Sequence, residues 1–175
     1  MAEEQAAEEK PAPEKFLVFT VQGAYYTFPS RLISEVAALE KVFPLPLLPD
    51  YVRGIINRYS APYALIDIGL LILKTPAAPS AGAVSRGSPP GPAKTVVLKE
   101  TVDKLAFLID DVVDIVDVHP SDLTKVEQDG EAPGSGAIAG GAAGLIESSF
   151  EWHDTHVFCL SIQEIINQVK KDFEA

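Results

Sequence analysis

Short runs of aromatic and β-branched residues, each cut by glycine, proline or aspartate, recur from Phe16 to Leu160, and only the segment after them carries a helical period. A chain punctuated in this way builds strands of ordinary length joined by turns. Phe16–Val21 and Tyr25–Phe28 flank Gln22-Gly23-Ala24 and read as a hairpin. The prolines at 44, 46 and 49 bias the backbone ahead of Asp50 towards extended forms. Tyr51–Asn57 and Leu65–Ile68 then read as two buried strands joined by a reversal. Thr95–Lys99 and Leu105–Ile109 form a further pair about the turn Glu100–Lys104, and Val112–Val118 continues the β pattern. After a glycine-rich stretch from Gly130 to Gly144, Leu145 and Ile146 re-enter a sheet; Phe150–His153 and His156–Leu160 close a hairpin around Asp154-Thr155.

Helical signals are few. Leu32–Leu39 fits one helical turn or a short strand equally well, and Ile68–Lys74 reads as a short helix with Asp67 at its favourable N-terminal end. In segment 161–173, Ser161 and Glu164 make a capping box, and Ile162, Ile165, Ile166, Val169 and Phe173 share one face. Many short strands with one long helix point to a mainly β fold of small barrels, each sheet curling on itself to hide its edges.

At 175 residues the chain has the length of one domain with its own core. The first lobe spans roughly 16–74 and the second roughly 94–160. Between them, residues 75–93 hold five prolines among Ala, Gly and Ser and form a flexible loop. Residues 1–15, with Glu3, Glu4, Glu8, Glu9 and Glu14, form a disordered acidic tail that lacks the marks of a secretory signal. The formal charge of −11 argues against nucleic acid or an anionic membrane surface as partner. The longest apolar stretch, Ala64–Leu73, is interrupted by Asp67 and falls short of a membrane span. Cys159 is the only cysteine, which rules out an intrachain disulfide and suits a cytoplasmic protein.

Candidates for chemistry are weak. His153 and His156 flank Asp154 but lack further ligands, so a solvated turn is the expectation, and neither a metal nor a cofactor is expected. Gly134-Ser135-Gly136 matches a loose dinucleotide fingerprint without the strand and helix that motif requires. Asp110, Asp111, Asp114, Asp117 and Asp122 lack calcium-loop spacing and read as an acidic face; Cys159 reads as a small buried hydrophobe. A small hydrolase or metal enzyme using these histidines and aspartates is the alternative from another class, and it needs a convergent pocket.

In their order and spacing, these features resemble the CheW-like domain of bacterial chemotaxis adaptors over the chain after Lys15. Phe16-Leu17-Val18-Phe19-Thr20 is similar to the family's opening strand, and Ile33-Ser34-Glu35-Val36 to its Val-x-Glu-Val stretch. Pro49 through Asn57 resembles its most specific motif, Leu65-Ile66-Asp67-Ile68 the partner strand, and Leu105 through Val112 the second-lobe motif. The resemblance implies two intertwined five-stranded SH3-like barrels, no enzymatic activity, and a scaffold joining the cytoplasmic tip of chemoreceptors to the regulatory domain of a CheA-type histidine kinase. It implies kinase-facing positions at Ile33, Glu35 and Val36, and a receptor-facing side at Gly54, Asn57, Arg58 and Tyr59. Where relatives carry Leu-Arg-Gly after the asparagine, this chain has Arg58-Tyr59-Ser60. The family's arginine position is thus Tyr59, and strand alternation places Arg58 on the opposite face. Ser60 disfavours a left-handed turn, and Pro62 lacks a ladder donor. These departures suggest, as an alternative, a scaffold for a different receptor class or a non-motility pathway.

Overall fold

Paired strands at the N-terminus follow directly from the Gln22-Gly23 turn. β1 (Glu14–Val21) and β2 (Ala24–Pro29) run antiparallel with Val21 opposite Ala24, and Gln22 and Gly23 are both left-handed, at φ 53° and 79°. This two-residue turn has the twist that antiparallel strands require. The computed structural model of the chain describes residues 11–39, 41–72, 93–126 and 144–174. Residues 1–10 of the expected tail, nearly all of the 75–93 loop, and 127–143 of the glycine-rich region lie outside the described residues. Strand β1 starts inside the segment expected to be tail. Glu14 and Lys15 join the ladder opposite Val118 and Asp117, and ion pairs to Arg31 (2.5 Å) and Asp117 (2.9 Å) hold them there.

The ambiguous segment resolves as one 3-10 turn, Ser30–Leu32, followed by β3 (Ile33–Ala38). The remaining elements are β4 (Val52–Arg58), β5 (Ala61–Asp67), α1 (Ile68–Ile72), β6 (Lys94–Leu98), β7 (Leu105–Ile109), β8 (Asp111–Val118), β9 (Thr124–Lys125), β10 (Ile146–Trp152), β11 (Thr155–Leu160) and α2 (Ile162–Glu174). The last hairpin turns one residue earlier than expected: His153 and Asp154, at φ 48° and 59°, occupy the two left-handed positions, which leaves Thr155 in the strand. Helix α2 is capped by the Ser161 hydroxyl, which accepts the Glu164 N–H at 3.3 Å. Its Ile162, Ile165, Ile166 and Val169 are buried, whereas Phe173, in the last turn, is exposed.

The fold is mainly β and has two sheets. One has six strands in the order β8-β1-β2-β11-β10-β9, where the two-residue β9 adds an edge beyond the five strands expected; the other has five in the order β3-β6-β7-β5-β4. Neither sheet follows the contiguous halves 16–74 and 94–160. β1 and β2 join strands from the second half, and β6 and β7 enter a sheet with β3, β4 and β5. Two parallel pairings, β2 with β11 and β5 with β7, interleave the halves. β7 and β8 are separated only by Asp110, where the chain passes from one sheet to the other.

The main core draws on both sheets and α2, including Leu17, Phe19 and Phe28 from the first, Leu65, Val96 and Phe107 from the second, and Ile165 from the helix. Phe28 bridges them, 5.0 Å from both the Phe19 and Phe107 ring centroids. The opposite face of β1 buries Phe16 and Val18 in a second cluster with Val118, Phe150, Val157 and Cys159. Burial on both faces accounts for the unbroken apolar run of β1.

Candidate functional site

The edge strands of the five-stranded sheet, β3 and β4, come together through side chains. Glu35 lies on β3 and Arg58 ends β4, at opposite ends of the strand order. Yet Arg58 donates from Nε to Glu35 Oε1 at 2.7 Å, with Nη2 on the same oxygen, and Tyr59 Oη donates to Glu35 Oε2 at 2.7 Å. The sheet must curl for its edge strands to meet this way. Burial alone raises the Glu35 carboxyl, but the hydrogen bonds from Tyr59 and Arg58 and the guanidinium charge outweigh it and hold the group below the usual carboxylate range. The same bond to Glu35 raises the Tyr59 hydroxyl. Arg58 also lies over the Tyr59 ring, 5.6 Å from its centroid.

This arrangement corrects two expectations. Alternation was expected to turn Arg58 away, but strand geometry ends at Arg58: Tyr59 and Ser60 are left-handed, at φ 50° and 63°, so consecutive side chains converge on one carboxylate. Ser60 therefore adopts the left-handed conformation that its side chain disfavours. Pro62 costs no ladder bond either. In a two-residue hairpin the closing pair, Arg58 and Ala61, exchanges both hydrogen bonds, and the next pair, Asn57 and Pro62, exchanges none.

The other expected positions have different surroundings. Val36 is 39% exposed, whereas Ile33 is half-buried and packs on the main core. Asn57 is exposed on β4. Gly54 is buried at φ 138°, beside a register shift, where the chain following β3 crosses the outer edge of β4. Phe43 and Ile55 exchange two backbone hydrogen bonds there, both 2.8 Å. A Cβ on Gly54 would lie 2.3 Å from the Phe43 carbonyl oxygen, so only glycine permits this crossing.

One element the sequence did not reveal supports β4. Arg53 donates from Nε (2.9 Å) and Nη2 (2.7 Å) to Oδ2 of the buried Asp67, whose Oδ1 accepts the Leu70 N–H of α1 at 3.1 Å. Asp67 was legible as a charge favourable to the N-terminal end of α1, but its pairing with Arg53 required the β4–β5 register, in which Val52 faces Ile66.

The candidates for catalysis stay apart. Among the described residues no three metal-binding side chains cluster. His153 packs edge-on against Trp152 at 4.5 Å, and His156 lies 3.7 Å from Glu151. Cys159 is buried, and desolvation pushes its thiol up to about 12. A cleft of 430 Å³ opens between α2, Leu71 and Tyr51, and Asp172 at its wall accepts hydrogen bonds from Tyr51 Oη (2.5 Å) and Gln168 Nε2 (2.9 Å). Among the described residues its lining contains carboxylates, amides, Lys171 and a tyrosine, but no serine, cysteine or histidine. No helix among the described residues is long and apolar enough to cross a membrane.

Interleaved sheets, with polar side chains spent on one another at the edge-to-edge junction, define a mainly β, two-sheet domain. The chain belongs to the CheW-like domain family, whose model matches residues 15–170. Among solved structures, it is similar to the scaffolding protein TtCheW from Thermoanaerobacter tengcongensis, with a TM-score of 0.64, 16% identity, and coverage of 86% of this chain and 90% of that one. At that identity the likeness concerns the fold. No curated protein sequence matches the chain.

Proposed function

We propose that this protein is a non-enzymatic adaptor that joins chemoreceptor cytoplasmic tips to the regulatory domain of a CheA-type histidine kinase. The observation that carries the reading is the Glu35–Arg58–Tyr59 junction within a CheW-like fold. It ties β3, which carries Glu35, to the β4 hairpin; in this reading Ile33, Glu35 and Val36 serve the kinase and Asn57, Arg58 and Tyr59 the receptor, with Gly54 buried beneath the chain that crosses β4. Both carboxylate oxygens of Glu35 are engaged internally, so its contribution is to hold β3 in place, and association rests on apolar contacts. Titration of the purified protein with a CheA-type regulatory domain tests the reading. Saturable binding is expected, and no binding at high micromolar concentration overturns it.

Tyr59-Ser60, standing where the family carries Arg-Gly, is the observation behind a second reading, a scaffold for a different receptor class or a non-motility pathway. Replacing both residues, Tyr59→Arg with Ser60→Gly, should then change receptor pull-down, and unchanged capture removes the turn from the argument.

A further inference from the structure

We infer that Tyr25 and Trp152, brought together at one end of the six-stranded sheet, form an aromatic platform for an arginine side chain of a protein partner. Strand register places the pair. Tyr25 near the start of β2 lies opposite Thr20 of β1 and Val157 of β11, and Trp152 ends β10 opposite Thr155 of β11. Their ring centroids are 6.4 Å apart, with the planes inclined at 54°. Both rings pack against the second core cluster yet are only half-buried. Trp152 is the chain's only tryptophan, and rings with one wet side are well suited to anchor a contact.

The adjoining turn holds the tryptophan in place. His153 is left-handed, at φ 48°, in a turn position that glycine or asparagine fills with less strain. That conformation sets the imidazole edge-on to the Trp152 ring, 4.5 Å from it and at 70°. His153 is itself exposed, so the core gains nothing from the strained residue. Its effect is to limit the motion of Trp152, which makes it a positioning residue for the platform.

Charge identifies the occupant. The segments that build this end of the sheet, 16–30, 105–124 and 144–169, contain no lysine or arginine. Carboxylates border it instead. Asp111 lies opposite Thr20 on the side away from Tyr25, and Glu151 and Asp154 flank Trp152-His153 in the chain. Asp111 is paired with Lys94 from the other sheet, and Glu151 lies 3.7 Å from His156. A cation over these rings is attracted both by the ring faces and by the surrounding negative charge.

Arginine fits better than lysine because a planar, weakly hydrated guanidinium stacks on a ring while its donors reach carboxylates. A second copy of this chain is disfavoured as the source. Among the described residues Arg31, Arg53 and Arg58 are each bound to a carboxylate of their own chain, and two molecules of net charge −11 repel.

Since Trp152 is the only tryptophan, its emission reports on the platform alone. The test is a fluorescence titration of the full chain at pH 8, where histidine is ordinarily neutral. The probes are a short acetylated peptide carrying two arginines and the same peptide carrying citrulline, which keeps the shape and loses the charge. The arginine peptide should give a saturable change that weakens at high salt, and the citrulline peptide should bind roughly tenfold more weakly. Tyr25→Leu should lower affinity for the arginine peptide roughly threefold or more. His153→Gly relieves the strained turn, so the melting temperature should hold or rise while affinity falls, because Trp152 is no longer restrained. No saturable response, or an equal response to citrulline, overturns the platform, as does unchanged affinity in both folded variants. Self-association of the unmodified chain that is lost in Trp152→Ala overturns the choice of a separate partner.

Discussion

Replacing Gly54 with alanine puts the crossing of β4 to a quantitative test. The new Cβ would sit 2.3 Å from the Phe43 oxygen, 2.9 Å from its carbonyl carbon and 3.0 Å from the Pro44 Cα, all backbone atoms that cannot swing aside. The 43–44 segment must therefore lift from β4 and give up both hydrogen bonds to Ile55. Each bond contributes about 0.5–1.5 kcal/mol net. Alanine at φ 138° adds strain of about 1–3 kcal/mol that displacement of the loop does not relieve. Together the losses come to about 2–6 kcal/mol, against a total stability of roughly 5–15 kcal/mol for such a domain. With a urea m-value of about 2 kcal/mol/M, the unfolding midpoint should fall by about 1–3 M. Hydrogen exchange should accelerate at the Phe43 and Ile55 amides, whereas the Ala64 amide, bonded to the Lys104 carbonyl elsewhere, keeps its relative protection. A midpoint within 0.3 M (about 0.6 kcal/mol) of the unmodified protein, with Phe43 still protected, would refute the reasoning.

Three further outcomes follow from the geometry. Because the folded-state carboxyl of Glu35 titrates below its unfolded value, its stabilisation is present at neutral pH and is lost as pH falls through the folded value. Glu35→Gln should therefore cost about 1–3 kcal/mol at pH 7 and flatten the acid limb of the stability profile, measured by urea unfolding from pH 7 to pH 3. Ser161→Ala removes the cap of α2 and should lower stability by about 1 kcal/mol, read as a shift in urea midpoint. The Cys159 thiol, buried and pushed up to about 12, should resist an aromatic disulfide reagent at pH 8 in the native protein and react at once in denaturant.

Local chemistry made the strands and α2 readable. Gln22-Gly23 announces its turn because glycine takes the second left-handed position without cost, and Ser161 with Glu164 announces the helix because the cap lies three residues from its donor. The His153-Asp154 turn was misplaced by one residue because a left-handed histidine carries no such signal. For the same reason the Tyr59-Ser60 turn looked unfavourable. Residue order alone could not reveal which halves share a sheet: the parallel pairs join residues such as Tyr26 and Phe158, and such pairings leave no local periodicity. The Glu35–Arg58 bond was hidden twice over, since it depends on the curl of a five-stranded sheet and on a turn that suspends strand alternation. Prolines 44, 46 and 49 pointed to extended chain, but Pro46 and Leu47 form a turn with Leu47 left-handed at φ 62°, and the prolines gave no sign that Leu45 and Leu47 would face solvent.

Interleaving of the sheets governs how this chain reaches its native state. β2 waits for β11 and β5 waits for β7, so neither sheet can be completed by the first half of the polypeptide as it is synthesised. Loop-closure entropy must be met before those long-range pairs form, which places folding in the millisecond-to-second regime of high contact-order domains. Until then the β1–β2 hairpin has exposed edges and two apolar faces. Cutting the chain between the halves should leave two fragments that regain structure only when mixed, each supplying strands to both of the other's sheets.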